Sequence, residues 1–134
     1  DVWSVTSVNE LTRDGQRATR WNLLHPTEAA RKPFITQQLE GRDGPVVIAT
    51  DHLKTYAEQL RAYIPGDYTV LGTEGFGRSD SRSKLRFFFE VNSHFVVIAA
   101  LKSLADQGKI KADVVAKAIT KFGIDPEKAD PMSV

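Results

Sequence analysis

The chain has 134 residues, the size of one ordinary domain, and 41% hydrophobic with 26% charged residues is ordinary globular usage, which argues against disorder and fibrous repeats. Eighteen Lys and Arg against 17 Asp and Glu leave a formal charge of +1, without the positive field that nucleic-acid binding draws on, and the absence of cysteine excludes disulfides, thiolate metal sites and cysteine nucleophiles. The longest apolar run, Phe95 to Leu101, is far short of the roughly 20 residues of a bilayer span, and the amino terminus has no signal pattern. One domain, with no nucleic-acid or membrane partner, is the expectation.

In chain order, Val2 to Val8 (VWSVTSV) is rich in β-branched and aromatic residues and predicts a strand. It begins next to the terminus without an initiator Met, so the expectation is a piece of something longer, lacking a first strand and helix. Ser7-x-x-Glu10 has the spacing of a capping box and predicts a helix from about Asn9 toward Arg20, weakened by Gly15. Trp21 to Pro26 is expected to be irregular, because Pro26 disfavours helical geometry at His25. Thr27 is placed to cap a short helix that Pro33 breaks or restarts, and Gly41 to Pro45 reads as a turn.

Val46 to Ala49 is an apolar run typical of a strand covered on both faces, with Thr50 or Asp51 as the next helix cap. Leu53, Tyr56, Ala57, Leu60 and Ile64 keep helical spacing up to Pro65 and Gly66, and Tyr68 to Leu71 supplies a second strand; together they predict a right-handed βαβ unit. Gly72 to Ser79 is a loop, Asp80 a cap, and Ser81 to Glu90 a helix. Asn92 or Ser93 then starts a helix through Gln107, although five apolar residues, FVVIA, also fit a buried strand. Gly108 stops that element, Lys111 to Phe122 is amphipathic helix with Gly123 as its left-handed cap, and residues 124–134 are expected to form a weakly ordered tail. Two or three strands alternating with helices predict an α/β three-layer sandwich around a small, mostly parallel sheet, whose ligands bind beyond the carboxyl ends of the strands. That places the candidate site at Gly72 to Ser81.

Within it, Gly72-Thr-Glu-Gly-Phe-Gly-Arg-Ser79 nearly spells the phosphate loop, but Arg78 stands where a lysine point charge is required. The dinucleotide fingerprint fails as well, because Asp80 follows Gly75-x-Gly77 where a third glycine belongs. Backbone amides with Arg78 and Arg82 offer one role, holding a carboxylate or phosphate. The competing role is structural: glycines permit the turn, Asp80 caps the helix, and the arginines pair with acids such as Glu74 or with another subunit. The candidate scaffold or contact residues are Gly75, Gly77, Arg78, Ser79, Asp80 and Arg82. His25, His52 and His94 lack metal-ligand spacing, and His25 beside Trp21 and Pro26 has no local acid-base partner; no serine sits in a nucleophile elbow. Phe87, Phe88 and Phe89 on one helix point about 100° apart, so one core cannot hide all three; either missing elements or a second subunit covers the remainder.

DVWSVTS (Asp1–Ser7), RWNLLHP (Arg20–Pro26), LGTEGFGRSDSR (Leu71–Arg82) and FFEV (Phe88–Val91) together resemble the carboxy-terminal region of the homodimeric pyruvate dehydrogenases of bacteria. LGTEGFGRSDSR is the most specific of the four, while the last helix is similar only in pattern. The resemblance implies a transketolase-like carboxy-terminal fold and an oxidoreductase of the bacterial cytoplasm that decarboxylates pyruvate with thiamine diphosphate and Mg2+, then acetylates a lipoyl group of the dihydrolipoyl acetyltransferase component. It also implies that cofactor and metal are held by other domains of the same polypeptide across a homodimer. No catalytic, cofactor-binding or metal residue is expected in this chain, which alone would be inactive. An independent anion- or protein-binding module, and the tail of a related keto-acid dehydrogenase or transketolase, are the competing readings.

Overall fold

A computed structural model describes all residues, Asp1–Val134. The elements are α1 (Val8–Leu24), α2 (Phe34–Leu39), β1 (Val46–Ala49), α3 (Lys54–Glu58), β2 (Tyr68–Leu71), α4 (Arg82–Phe88), α5 (Ser93–Asp106) and α6 (Ala112–Lys121), with single 3-10 turns at Arg61–Tyr63 and Pro131–Ser133. β1 and β2 pair in parallel, Val46 opposite Tyr68 through Ala49 opposite Leu71, so the predicted βαβ unit forms. The sheet has two strands, the smaller of the two sizes expected for this α/β arrangement.

β2 alternates as a half-buried strand should. Tyr68 and Val70 enter the core with Val8 of α1 and Ala57, Leu60 and Ile64 of the crossover, and Leu11, Ile35, Leu39, Val46, Ile48 and Tyr56 pack around them. Thr69 lies toward the other side, sharing a depression with Ala99 and Ser103 of α5. Helix α5 lies along both strands and α6 packs on α5, giving a helix–sheet–helix arrangement.

Several local expectations are corrected. Val2 to Val8 is not a strand: Val2, Trp3 and Val5 are exposed without a ladder, and α1 already begins at Val8. Strand propensity is a preference for a pleated, half-buried surface, and without a neighbouring strand there is no ladder to express it. Ser7 accepts from the Glu10 amide at 3.2 Å, but the Glu10 carboxylate pairs with Arg13 instead of closing the capping box. Trp21 to Leu24, expected to be irregular, is the last turn of α1, and the effect of Pro26 is confined to His25 at φ −129°, ψ 60°. Thr27 caps nothing helical, whereas Pro33 starts α2, where its fixed φ fits a helix entry.

The crossover is a short helix and a 3-10 turn instead of one helix, and its cap residue is Leu53, not Thr50 or Asp51. The FVVIA segment is helix α5, with Asn92 Oδ1 accepting from the Phe95 amide at 3.1 Å. Counted as one stretch, Arg82–Asp106 is long and apolar enough to cross a membrane by length and composition only. The chain breaks that stretch where Glu90 takes φ 62°. Residues 124–134, expected to be a weakly ordered tail, instead turn back onto the body, with Ile124 and Pro131 buried.

Candidate functional site

β2 runs directly into the candidate loop. The chain leaves Leu71 still paired, its carbonyl accepting from the Thr50 amide at 3.0 Å. Gly72 follows in a space without room for a side chain: a Cβ there would lie 2.8 Å from both the His52 carbonyl oxygen and the Lys54 nitrogen. Thr73 then donates from its amide to the His52 carbonyl and from its hydroxyl to the Asp51 carbonyl, each at 2.9 Å. Glu74 completes the seam, its Oε1 accepting from the Lys54 amide at 2.8 Å. Helix α3 opens on Leu53, which has no polar side chain, so Glu74 from 20 residues away supplies both the missing acceptor and the negative charge favoured at a helix start. The two loops at the carboxyl ends of the strands are thereby sewn together.

Beyond Glu74 the two glycines differ. Gly75 sits at φ 83°, and a Cβ would meet the Pro131 carbonyl oxygen at 2.0 Å, so the carboxy-terminal segment passes against bare backbone here. Gly77 has open space and no positive φ. Phe76 between them is 84% exposed. Arg78 lies with its guanidinium 4.0 Å from the centroid of the Phe88 ring, a cation–π contact and not the ion pair with Glu74 that the sequence suggested, since the Glu74 carboxylate is engaged at α3. Asp80 accepts from the Ser81 amide at 2.7 Å and lies 3.8 Å from Lys84, while the structural N-cap of α4 is Ser81, which makes no side-chain cap bond. Ser79 and Arg82 are exposed.

Arg78, Ser79, Asp80, Lys84, Leu85 and Phe88 line an open depression of about 300 Å3. The six candidate residues therefore do not converge. Arg78, Ser79 and Asp80 share the depression, Gly75 faces the carboxy-terminal segment, and Gly77 and Arg82 belong to neither. The depression is a poor host for a diphosphate with its metal. Asp80 is the single carboxylate in it and is already shared between Ser81 and Lys84. No three His, Asp or Glu side chains anywhere in the chain group into a cation site. The residues present do not fit thiamine diphosphate and Mg2+.

The histidines are held by neighbouring rings. His25 stacks on Trp21 at 4.3 Å with Nδ1 2.8 Å from the Trp21 carbonyl oxygen, and Arg31 covers the same indole at 4.0 Å. His94 stacks on Phe122 at 4.3 Å, and His52 tilts against Tyr56 at 4.4 Å. The residues that sequence reasoning missed are Glu74 as a cap in space, and Lys128 and Pro131 beside the loop. Their partners lie 20 to 56 residues away, beyond any local pattern.

Comparison with known proteins agrees with the geometry. A family model described as the transketolase-like TK C-terminal domain matches residues 1–92. The chain is 58% identical over 133 residues to the pyruvate dehydrogenase E1 component of Pseudomonas aeruginosa, 52% over 134 residues to that of Cupriavidus necator, and 56% over 132 residues to that of Escherichia coli K12. Each alignment takes in 98% or more of this chain and 15% of the relative. With its parallel βαβ unit and its strand-end loops, the chain belongs to the transketolase-like C-terminal domain family, in the form shared with bacterial pyruvate dehydrogenase E1 components.

Proposed function

We propose that this chain is the carboxy-terminal, dimer-bracing domain of a pyruvate dehydrogenase that works in the cytoplasm as a homodimer. The enzyme decarboxylates pyruvate with thiamine diphosphate and Mg2+, then reductively acetylates the lipoyl group of the dihydrolipoyl acetyltransferase component. The observation that carries this reading is identity of 52 to 58% sustained along virtually the whole chain with E1 components of three bacteria. Thiamine diphosphate supplies the carbanion chemistry, and it and its metal belong to other parts of the polypeptide. In this reading Gly75, Gly77, Arg78, Ser79, Asp80 and Arg82 are scaffold, shaping a strand-to-helix turn that stands near a subunit surface.

Calorimetric titration of the isolated chain with thiamine diphosphate and Mg2+ tests this division of labour. No binding heat is expected. Tight binding would show that the chain carries a cofactor site of its own and would overturn it. The intact mass of the source protein tests the parentage, and a natural polypeptide of this length would sink it in favour of an independent binding module.

A further inference from the structure

The carboxy-terminal segment makes a set of contacts that its sequence does not advertise. Helix α6 ends at Gly123, φ 64°, with the Ile124 amide donating back to the Ile119 carbonyl, and this turn sends Ile124 into the body. Two aspartate turns then shape the run: Asp125 Oδ1 accepts from the Glu127 amide, and Asp130 Oδ1 accepts from the Met132 amide, each at 2.9 Å. Their effect is to present Lys128 and Pro131 at fixed positions.

Lys128 is 15% exposed, low for an ammonium. Its three donors are all used, by the Phe88 carbonyl at 2.9 Å, Glu90 Oε1 at 3.1 Å and the Ala129 carbonyl at 3.3 Å. The first two acceptors lie at one place. Phe88 is the last residue of α4, and Glu90 is the chain's one non-glycine residue at positive φ. The Val91 amide donates to the Arg86 carbonyl and the Glu90 amide to the Phe87 carbonyl, which puts Glu90 where a helix end ordinarily has glycine. Lys128 therefore ties down a backbone corner that a glutamate does not favour unaided. The Phe88 ring is also shared, with Arg78 of the loop 4.0 Å from its centroid and Lys128 5.3 Å from it. Three residues on, the Pro131 carbonyl lies against Gly75 at the start of the loop.

We propose that the segment Asp125–Val134 is a clasp that fixes the Gly75–Arg82 loop and the corner between α4 and α5 as one unit, with Lys128 as its lock. The clasp reaches the loop at two points, directly at Gly75 and through the Phe88 ring at Arg78. Release of the segment frees the loop and the corner together while leaving α1 and the sheet in place. This inference concerns the internal mechanics of the domain and stands whether or not the enzymatic reading does.

Hydrogen exchange read by mass spectrometry in the intact polypeptide tests it, comparing the parent with Lys128→Met and with a form ending at Ile124. The amides of Phe89, Glu90 and Val91, which donate to the Leu85, Phe87 and Arg86 carbonyls, are expected to exchange about tenfold faster or more in both variants, and trypsin to cut after Arg78 about tenfold faster, with α1 unchanged, because the lost bonds are charge-assisted and the opening is local. Unchanged corner exchange and unchanged cleavage in the loop overturn the proposal. Equal acceleration in α1 overturns it too, since the segment would then support the whole fold and not the loop. The point variant keeps the test sound if the shortened chain does not fold.

Discussion

At the scale of residues, Tyr68 shows how burial and bonding act together. Its ring lies in the core, its hydroxyl donates to the Ala57 carbonyl at 2.8 Å, and the Tyr68 carbonyl accepts from the Arg61 guanidinium at 2.8 Å. Burial, with the nearby Glu58 charge adding and Arg61 opposing, pushes the phenol up to about 12. An unfolded tyrosine titrates near 10, so the folded state favours the neutral form. That stability is fully present below pH 10 and is lost as pH rises from about 10 to about 12, an effect on the order of 2 kcal/mol. Denaturant midpoints measured across this window should fall in the parent chain and flatten in Tyr68→Phe. A parallel fall in both would mean that other groups set the alkaline limit. Glu58 is held below the usual carboxylate range chiefly by its hydrogen bond from Arg61, yet both side chains are too exposed for this pair to contribute much.

At the scale of elements, α1 poses a choice between two opposed effects. Gly15 lies inside the helix, where Gly→Ala normally gains about 1 kcal/mol from propensity. Here the new Cβ would lie 2.5 Å from the Tyr63 ring of the crossover, so the helix and the core want different residues. Overpacking of a set interface costs about 1 to 3 kcal/mol, which outweighs the gain, and Gly15→Ala should lower the melting temperature. A higher one would show that Tyr63 moves aside freely. The sequence flagged Gly15 as a weakness of the helix, which is right for the isolated element and silent about the packed one. The cap of α5 was legible to within one residue, as Asn92 or Ser93, because caps are local, and the structure takes Asn92. The strand expected at Val2 to Val8 was not, because a ladder depends on a partner the pattern does not contain. The acceptor for α3 comes from Glu74, 20 residues on, and no spacing rule within the helix points to it.

At the scale of the whole molecule, too little is buried. Only 14 of 134 residues are buried, and the accessible surface is 9122 Å2, against roughly 7,000 Å2 for a compact monomer of this mass. The excess is apolar in part: Phe87, Val97, Leu23, Leu24, Phe34 and Phe76 are all exposed. The three phenylalanines at the end of α4 and its cap divide as their spacing required, with Phe88 and Phe89 half-buried and Phe87 exposed. Such a surface suits a domain built to lie against further protein. Expressed alone, the chain should associate or bind an apolar dye, as size-exclusion with light scattering and dye fluorescence would show; a clean monomer without dye binding would count against an interface role.

The contrast between Gly75 and Gly77 has a consequence for the gene. Every single-base change that replaces a glycine installs a Cβ, so position 75, at φ 83° and against the Pro131 carbonyl, has no tolerable neighbour one mutational step away. Position 77, two codons on in the same motif, has ordinary backbone and open space. A library of all replacements at both should be depleted at the first and populated at the second, giving two letters that look alike in the sequence opposite histories under selection.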